Sequence, residues 1–187
     1  MPINADQVTA LVLAAGSSRR LGQPKQLLEF RGATLLDATI ANVLGFGFAQ
    51  TVVTIGGAAP EVKEQVDLSQ VELVDSVHHT DGCSSSIVSA LAAIDPDSAG
   101  FFLFLGDQPD VPQTAVDALL EAAADTEIAV VEYRNGTGHP FWFARSVFGA
   151  LSDLHGDKAV WKLLESGRFT AAHVTVCLLY TSDAADE

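Results

Sequence analysis

"LVLAAGSSRRLGQPKQLL", residues 11–28, changes character at Gly16. Ahead of it, Val8 to Ala14 form a continuous apolar run, as expected of a strand buried on both faces. Beyond it the residues turn to serine, glycine and cations, with Arg19, Arg20 and Lys25 in one loop. The whole chain holds 24 acidic and 10 basic residues, a net charge of −14. Three cations in one loop therefore call for a local reason. A Gly-Ser loop after a strand lets backbone N–H groups approach phosphate oxygens, because glycine adds no side chain and tolerates unusual torsions. Arg20 and Lys25 would neutralise those phosphates, Lys25 as a compact point charge. The alternative is a basic loop that is simply solvated. Neither GxxxxGK[ST] nor GxGxxG occurs, so the loop is neither a Walker loop nor a dinucleotide fingerprint.

The rest of the chain alternates strand-like and helix-like stretches. Thr34 followed by Asp37 reads as a helix N-cap, with Leu35, Leu36, Thr39, Ile40, Val43 and Leu44 on one face. "TVVTIGG" (51–57) and "VELVD" (71–75) read as strands around a short helix at 62–66. Ser84 or Ser85 is placed to cap a helix carrying Ile87, Leu91 and Ile94, stopped before Pro96. "FFLFLGD" (101–107) is the strongest strand, and Pro112 suits the first turn of the helix carrying Val116, Leu119, Leu120 and Ala123. "IAVVEY" (128–133) follows, then "PFWFA" as a short strand, helices over 146–154 and 158–164, and a closing strand in "AAHVTVCLL". This alternation predicts an α/β fold with a parallel, doubly wound sheet and right-handed crossovers. With no internal repeat or long linker, residues 1–176 are expected to form a single domain.

Composition narrows the function. At 187 residues and 48% hydrophobic, the chain can bury a sizeable core. Its acidity excludes a nucleic-acid surface, which needs many Lys and Arg contacts to phosphates. No apolar run approaches the roughly 20 residues that cross a bilayer. "MPINADQ" lacks signal-peptide features, and Cys83 and Cys177 match neither a zinc nor a redox spacing. A cytoplasmic protein without membrane or nucleic-acid partners is the expectation.

Ligands of such sheets gather beyond the carboxyl ends of the strands. Three segments fall there: 15–25, 82–86 and 106–112. Asp107 ends an apolar strand, where a carboxylate packs poorly; its useful role would be to hold Mg²⁺, a hard cation that bridges phosphates. The alternative is a turn residue in "GDQPD", and Asp110 fits that role better. His78, His79 and Asp81 are disfavoured as a metal site, since adjacent strand residues point to opposite faces. His139 is left open between the cleft and a turn. Trp142 and Trp161 are expected in the core.

Together these segments resemble the MobA-like nucleotidyltransferases, most nearly the molybdenum cofactor cytidylyltransferases. "LAAGSSRRLGQPKQLL" (13–28) is similar to the family's LAAGxSxRxGxPKxLL signature, and "GCSSSI" (82–87), "GDQPDV" (106–111), "GHP" (138–140) and "GDKAVWKLL" (156–164) follow in family order. The resemblance covers residues 8 to 175. It implies a Rossmann-like three-layer sandwich of the nucleotide-diphospho-sugar transferase type, with a mixed, mainly parallel sheet. It also implies Mg²⁺-dependent transfer of CMP from CTP, or another NMP from its NTP, to a molybdopterin-type phosphate acceptor. Leu13, Ala14, Ala15, Gly16 and Ser18 would line the nucleotide, Arg20 and Lys25 its phosphates, and Ser84, Ser85 and Ser86 the base and ribose. Asp107 would be the metal ligand, and Lys25, Arg20 and Asp107 the catalytic set. "LAAG" in place of "LAGG" implies CTP rather than GTP, because by resemblance that position faces the base. A molybdoenzyme or its chaperone is the implied partner.

Two departures stand out. Leu21 replaces the usual Met, and the ending "CLLYTSDAADE" replaces an Asp-containing DxDTPxD-like segment that supplies a second metal ligand. Residues 177–187 resemble translated adapter sequence and are expected to be a non-native tail, which puts catalysis by this chain in question. Rival readings are a sugar- or polyol-phosphate nucleotidyltransferase and a non-catalytic nucleotide- or cofactor-binding protein.

Overall fold

The computed structural model describes residues 2–16, 23–76, 83–134, 136–153, 156 and 159–176. Seven strands form its main sheet: β1 (Thr9–Ala14), β4 (Gln50–Ile55), β5 (Glu72–Asp75), β6 (Gly100–Leu105), β7 (Ile128–Tyr133), β8 (Gly136–Ala144) and β9 (Ala171–Thr175). Two short strands, β2 (Glu29–Phe30) and β3 (Ala33–Thr34), make a separate antiparallel hairpin. The main sheet runs in the order β5-β4-β1-β6-β8-β7-β9. β8 pairs antiparallel with β6 and β7 on either side, and the other ladders are parallel. The mainly parallel α/β architecture is the expected one.

The paired aromatics of β6 explain its central place. Phe102 and Phe104 face one layer and Phe101 and Leu103 the other, all at most 2% exposed. Successive strand side chains alternate faces, so a strand apolar at every position must be covered on both. Helices α1 (Leu35–Leu44), α2 (Ala59–Gln65) and α4 (Gln113–Ala123) contribute Leu36, Ile40, Val62, Val116 and Leu119 to the first layer. Helices α3 (Cys83–Leu91), α5 (Phe148–Ser152) and α6 (Ala159–Glu165) contribute Ile87, Leu151 and Leu163 to the second. Three layers result. None of the helices among the described residues is long and apolar enough to cross a membrane.

Local details follow the sequence with several departures; the helix expected at 62–66 spans Ala59–Gln65, and that expected over 146–154 is Phe148–Ser152 after a 3-10 turn. Thr34 caps α1 as expected, its hydroxyl accepting the Asp37 N–H at 3.0 Å. α3 starts at Cys83, so Ser84, Ser85 and Ser86 lie in its first turn rather than before it, and Ile94 is buried beyond the helix end. Pro112 takes an extended conformation (φ −78°, ψ 147°) one position ahead of α4. "PFWFA" is the end of a nine-residue strand inserted inside the sheet. Glycine and proline in "GTGHP" obscured it, because pairing on both sides overrides weak strand propensity. Trp142 is fully buried, but Trp161 is 40% exposed and meets the buried Phe141 edge-on, ring centroids 5.7 Å apart.

Candidate functional site

The chain leaves β1 toward β4 on one side of the sheet, while the strands after β6 extend the other side. The carboxyl ends of β1 and β6 therefore flank a switch point, where doubly wound sheets bind ligands. These ends approach closely because residue 106 is glycine. Its N–H donates to the Leu13 carbonyl at 2.9 Å, and a Cβ there would lie 2.9 Å from the Ala14 Cβ and 3.1 Å from the Leu13 oxygen. The buried Thr39 hydroxyl on α1, which donates to the Leu35 carbonyl at 2.8 Å, lies 3.2 Å from the Gly106 carbonyl oxygen. The next residue, Asp107, is thus delivered to the loop after β1.

There Lys25, in a 3-10 turn over Lys25–Leu27, meets it. Lys25 Nζ lies 3.0 Å from Asp107 Oδ2, joining residues 82 positions apart. Beside them, Gln26 is 5% exposed, and its side-chain amide donates to the Ala14 carbonyl at 2.6 Å and the Gly16 carbonyl at 2.8 Å. This glutamine holds the start of the phosphate-loop candidate in shape. Sequence reasoning passed over it; the signal was a polar residue between Lys25 and the apolar Leu27 and Leu28 of "PKQLL".

Leu13, Ala14, Ala15, Gly16, Lys25 and Asp107 thus come together. Gly16 is exposed, and Ala14 and Ala15 are 5% and 4% exposed. Ser84, Ser85 and Ser86 lie at the start of α3, which packs on β1, β4 and β5. Ser84 and Ser86 are buried, and the Ser86 hydroxyl shares a 3.1 Å hydrogen bond with that of Ser76, the residue after β5. Ser85 is half-buried. Ser18, Arg19, Arg20 and Leu21, the histidine pair with Asp81, and residues 177–187 with Cys177 lie outside the described residues.

On the far flank of Asp107, the sheet supplies His139. Its ring stacks on Phe141 with centroids 4.3 Å apart. Burial lowers its pKa to about 4, although the Asp107 charge acts in the opposite direction. The imidazole is therefore neutral at physiological pH. Tyr133, whose hydroxyl donates to the His139 carbonyl at 2.8 Å, has a pKa raised to about 12 by burial. Gly138 sits against that tyrosine: a Cβ there would come within 2.9 Å of the ring. A cavity of about 410 Å³ opens here, lined by Gln108–Pro112, Tyr133 and Gly136–His139. Asp110, at its rim, takes both guanidinium nitrogens of Arg31 at 2.8 and 3.2 Å.

Among the described residues no three His, Cys, Asp or Glu side chains cluster as a metal cage. Asp107 contributes one carboxylate, with a third of its side chain open to solvent. That fits Mg²⁺, which is usually held by one or two carboxylates plus substrate phosphates. A lysine and a carboxylate are thus brought together at one strand junction.

Comparison with known proteins agrees with this architecture. The chain is similar to a homologue of the Mycobacterium tuberculosis protein Rv0371c from Mycobacterium sp. strain JC1, at 50% identity, TM-score 0.85, covering 92% of this chain and 87% of the other. It is also similar to Rv0371C from M. tuberculosis H37Rv in complex with manganese, at 43% identity, TM-score 0.81, covering 91% and 89%. Among curated proteins it is 32% identical over 127 residues to nicotine blue oxidoreductase of Paenarthrobacter nicotinovorans, covering 67% of this chain and 62% of that protein. It is likewise 32% identical over 133 residues to a probable molybdenum cofactor guanylyltransferase of Bacillus cereus strain ATCC 10987, covering 70% and 64%. The matched segment thus spans less than two thirds of either curated relative. The model of the MobA-like NTP transferase domain matches residues 10–174, from the strand before the phosphate-loop candidate to the last strand of the sheet, and the chain belongs to that nucleotidyltransferase family.

Proposed function

We propose that the protein transfers CMP from CTP to the phosphate of a molybdopterin-type acceptor and releases pyrophosphate, with Mg²⁺ as cofactor. The observation that carries this reading is the meeting of Lys25 and Asp107, a cation suited to phosphates and a carboxylate suited to a hard metal, beside the loop after β1. In the reaction an acceptor phosphate oxygen bonds to the α-phosphorus and the bond to the β-phosphate oxygen breaks. No protein nucleophile is needed, so positioning and charge stabilisation carry the rate. Lys25 offsets charge on the nucleotide phosphates, and Arg20 and Ser18 join it by family resemblance. The backbone of Ala14–Gly16, tied down by Gln26, presents N–H groups to the same phosphates. Asp107 would hold Mg²⁺, which when bound offsets negative charge on the phosphate oxygens. By the same resemblance Ser84–Ser86 would lie near the base and ribose.

The choice of CTP rests on the family resemblance at Ala15, the position that by that resemblance faces the base. The B. cereus relative is named a guanylyltransferase, so GTP is the rival nucleotide. A thermal-shift comparison of the four NTPs with Mg²⁺, followed by pyrophosphate release with reduced molybdopterin, tests the reading. The largest shift with CTP, and pyrophosphate only when the acceptor is present, is the expected result. Release with sugar or polyol phosphates instead would reassign the acceptor. Binding without release would make the protein a nucleotide-binding or cofactor-handling one. On the leading reading residues 1–176 are the catalytic domain and deletion of 177–187 leaves turnover unchanged, while a molybdoenzyme or its chaperone receives the product.

A further inference from the structure

Arg31 occupies a position where arginine is a poor choice for the backbone. With Gly32 it connects β2 to β3, whose ladder pairs Glu29 with Thr34 and Phe30 with Ala33. Both connecting residues have positive φ, 51° at Arg31 and 84° at Gly32. Two-residue hairpins of this kind favour asparagine, aspartate or glycine, because a larger side chain makes the left-handed conformation costly. Among the described residues Arg31 is the one non-glycine that adopts it. Turn chemistry gives no reason for an arginine here, but its side chain does. The guanidinium lies over the Phe30 ring, 4.6 Å from the centroid, and donates to both Asp110 oxygens at 2.8 and 3.2 Å.

This contact joins the two chain segments that carry the site. On one side, the 3-10 turn that begins at Lys25 leads directly into the hairpin, and α1 packs on that turn and on both hairpin strands. The Leu35 N–H closes the base of the hairpin by donating to the Leu28 carbonyl at 2.7 Å. Arg31 therefore belongs to the same packed unit as Lys25. On the other side, Asp110 follows Asp107 closely in the loop after β6. The Gln108 N–H donates to the Leu105 carbonyl at 3.1 Å, and Pro109, with its fixed φ, links that turn to Asp110. A loop closed in this way passes a shift of Asp110 on to Asp107.

Both side chains of the pair are mostly exposed, so it adds little to stability. What a doubly bonded guanidinium–carboxylate contact supplies is orientation. In the proposed reaction Lys25 turns to phosphates and Asp107 to the metal, which opens their direct bond. The contact of Arg31 with Asp110 is left in place by that exchange. We propose that Arg31 is a positioning residue: through Asp110 it holds the loop after β6 where Asp107 can serve the metal and the nucleotide. The proposal rests on the transferase reading for what the loop is used for, while the tie itself is measurable without nucleotide.

The test variant is Arg31→Asn, which removes the guanidinium fork yet suits the left-handed turn better than arginine. On the full chain, the thermal midpoint, amide hydrogen exchange across residues 105–112 without ligand, and binding of CTP and GTP with and without Mg²⁺ are compared with wild type. The midpoint should be no lower, and the loop should exchange faster while β1 is unchanged. The factor by which Mg²⁺ strengthens nucleotide binding should fall about fivefold or more, with metal-free binding within about twofold of wild type. Asp110→Asn should reproduce these effects, and the double variant should be no worse than either single one, since the two residues act through one contact. A midpoint that falls together with metal-free binding would make Arg31 a structural residue and overturn the proposal. So would loop exchange or a Mg²⁺ factor equal to the parent's, or additive losses in the double variant. A wild type that binds no nucleotide, with loop protection still dependent on Arg31, would overturn the transferase reading and leave the tie standing.

Discussion

Lys25 and Asp107 form an ion pair whose side chains are 51% and 35% exposed. Pairs that open to water contribute at most about 1 kcal/mol, so stability does not account for their placement. Lys25→Ala should accordingly leave the thermal midpoint nearly unchanged while weakening NTP binding by about 1.5–3 kcal/mol, the worth of a hydrogen bond to a charged group. Calorimetric titration with CTP and GTP checks this; unaltered affinity for both would remove Lys25 from the phosphate site. Asp107→Asn should spare the fold and abolish the Mg²⁺ response of activity, and a Mg²⁺ titration matching the parent's would place the metal elsewhere. Gln26 calls for the opposite pattern. Gln26→Leu fits the buried space but strips the donors from the Ala14 and Gly16 carbonyls. A loss of stability of about 1–3 kcal/mol is expected, as for buried acceptors left unpaired, together with weaker nucleotide binding. A urea unfolding curve that matches the parent's would refute its structural part.

The junction of β1 and β6 is the element on which the site depends. Gly106→Ala would force the new methyl against the Ala14 Cβ at 2.9 Å and the Leu13 oxygen at 3.1 Å. Neither neighbour is the flexible tip of a side chain, so the strands must separate, at a cost of about 1–3 kcal/mol typical of overpacking. Asp107 would move away from Lys25 with them. Reduced stability together with loss of Mg²⁺-dependent nucleotide binding is the expected outcome; a fully active variant of parental stability would show that the junction tolerates a wider gap. The insertion of β8 between β6 and β7 is equally consequential, since it brings His139 and the cavity to the flank of Asp107.

For the molecule as a whole, His139 ties stability to pH. Its pKa falls from an ordinary 6.5 to about 4, chiefly through burial. Between those values the unfolded chain binds the proton and the folded chain does not, so folding is progressively disfavoured as pH drops. The contribution is fully present above about pH 6.5, is lost as pH falls toward about 4, and amounts to at most about 3 kcal/mol. Urea unfolding near pH 7 and pH 5 should show this loss, and His139→Gln should remove most of it. A pH dependence that the substitution leaves intact would assign it to other groups. Asp67, Glu127 and Glu132, whose carboxyl pKa values are lowered by hydrogen bonds, also lose stability as pH falls, but through the ordinary carboxylate range below the His139 window, and the substitution separates the two effects.

Much of this architecture could be read along the chain, because its signals are local. An unbroken apolar run such as "FFLFL" must be covered on both faces, Thr34 with Asp37 marks a helix start, and the Gly-Ser loop followed by cations marks a candidate phosphate site. These features lie between neighbouring residues and survive without knowledge of the fold. What folding added are juxtapositions across long stretches of chain. The pairing of Lys25 with Asp107, the grip of Gln26 on carbonyls 10 and 12 residues before it, and the bond from Arg31 to Asp110 have no periodicity to betray them. β8 was obscured for the same reason: a strand containing two glycines and a proline is held by partners on both sides, and neither is visible in its own residues. The cavity beside Asp107 is built almost wholly of such contacts, which is why it is a property of the folded chain alone.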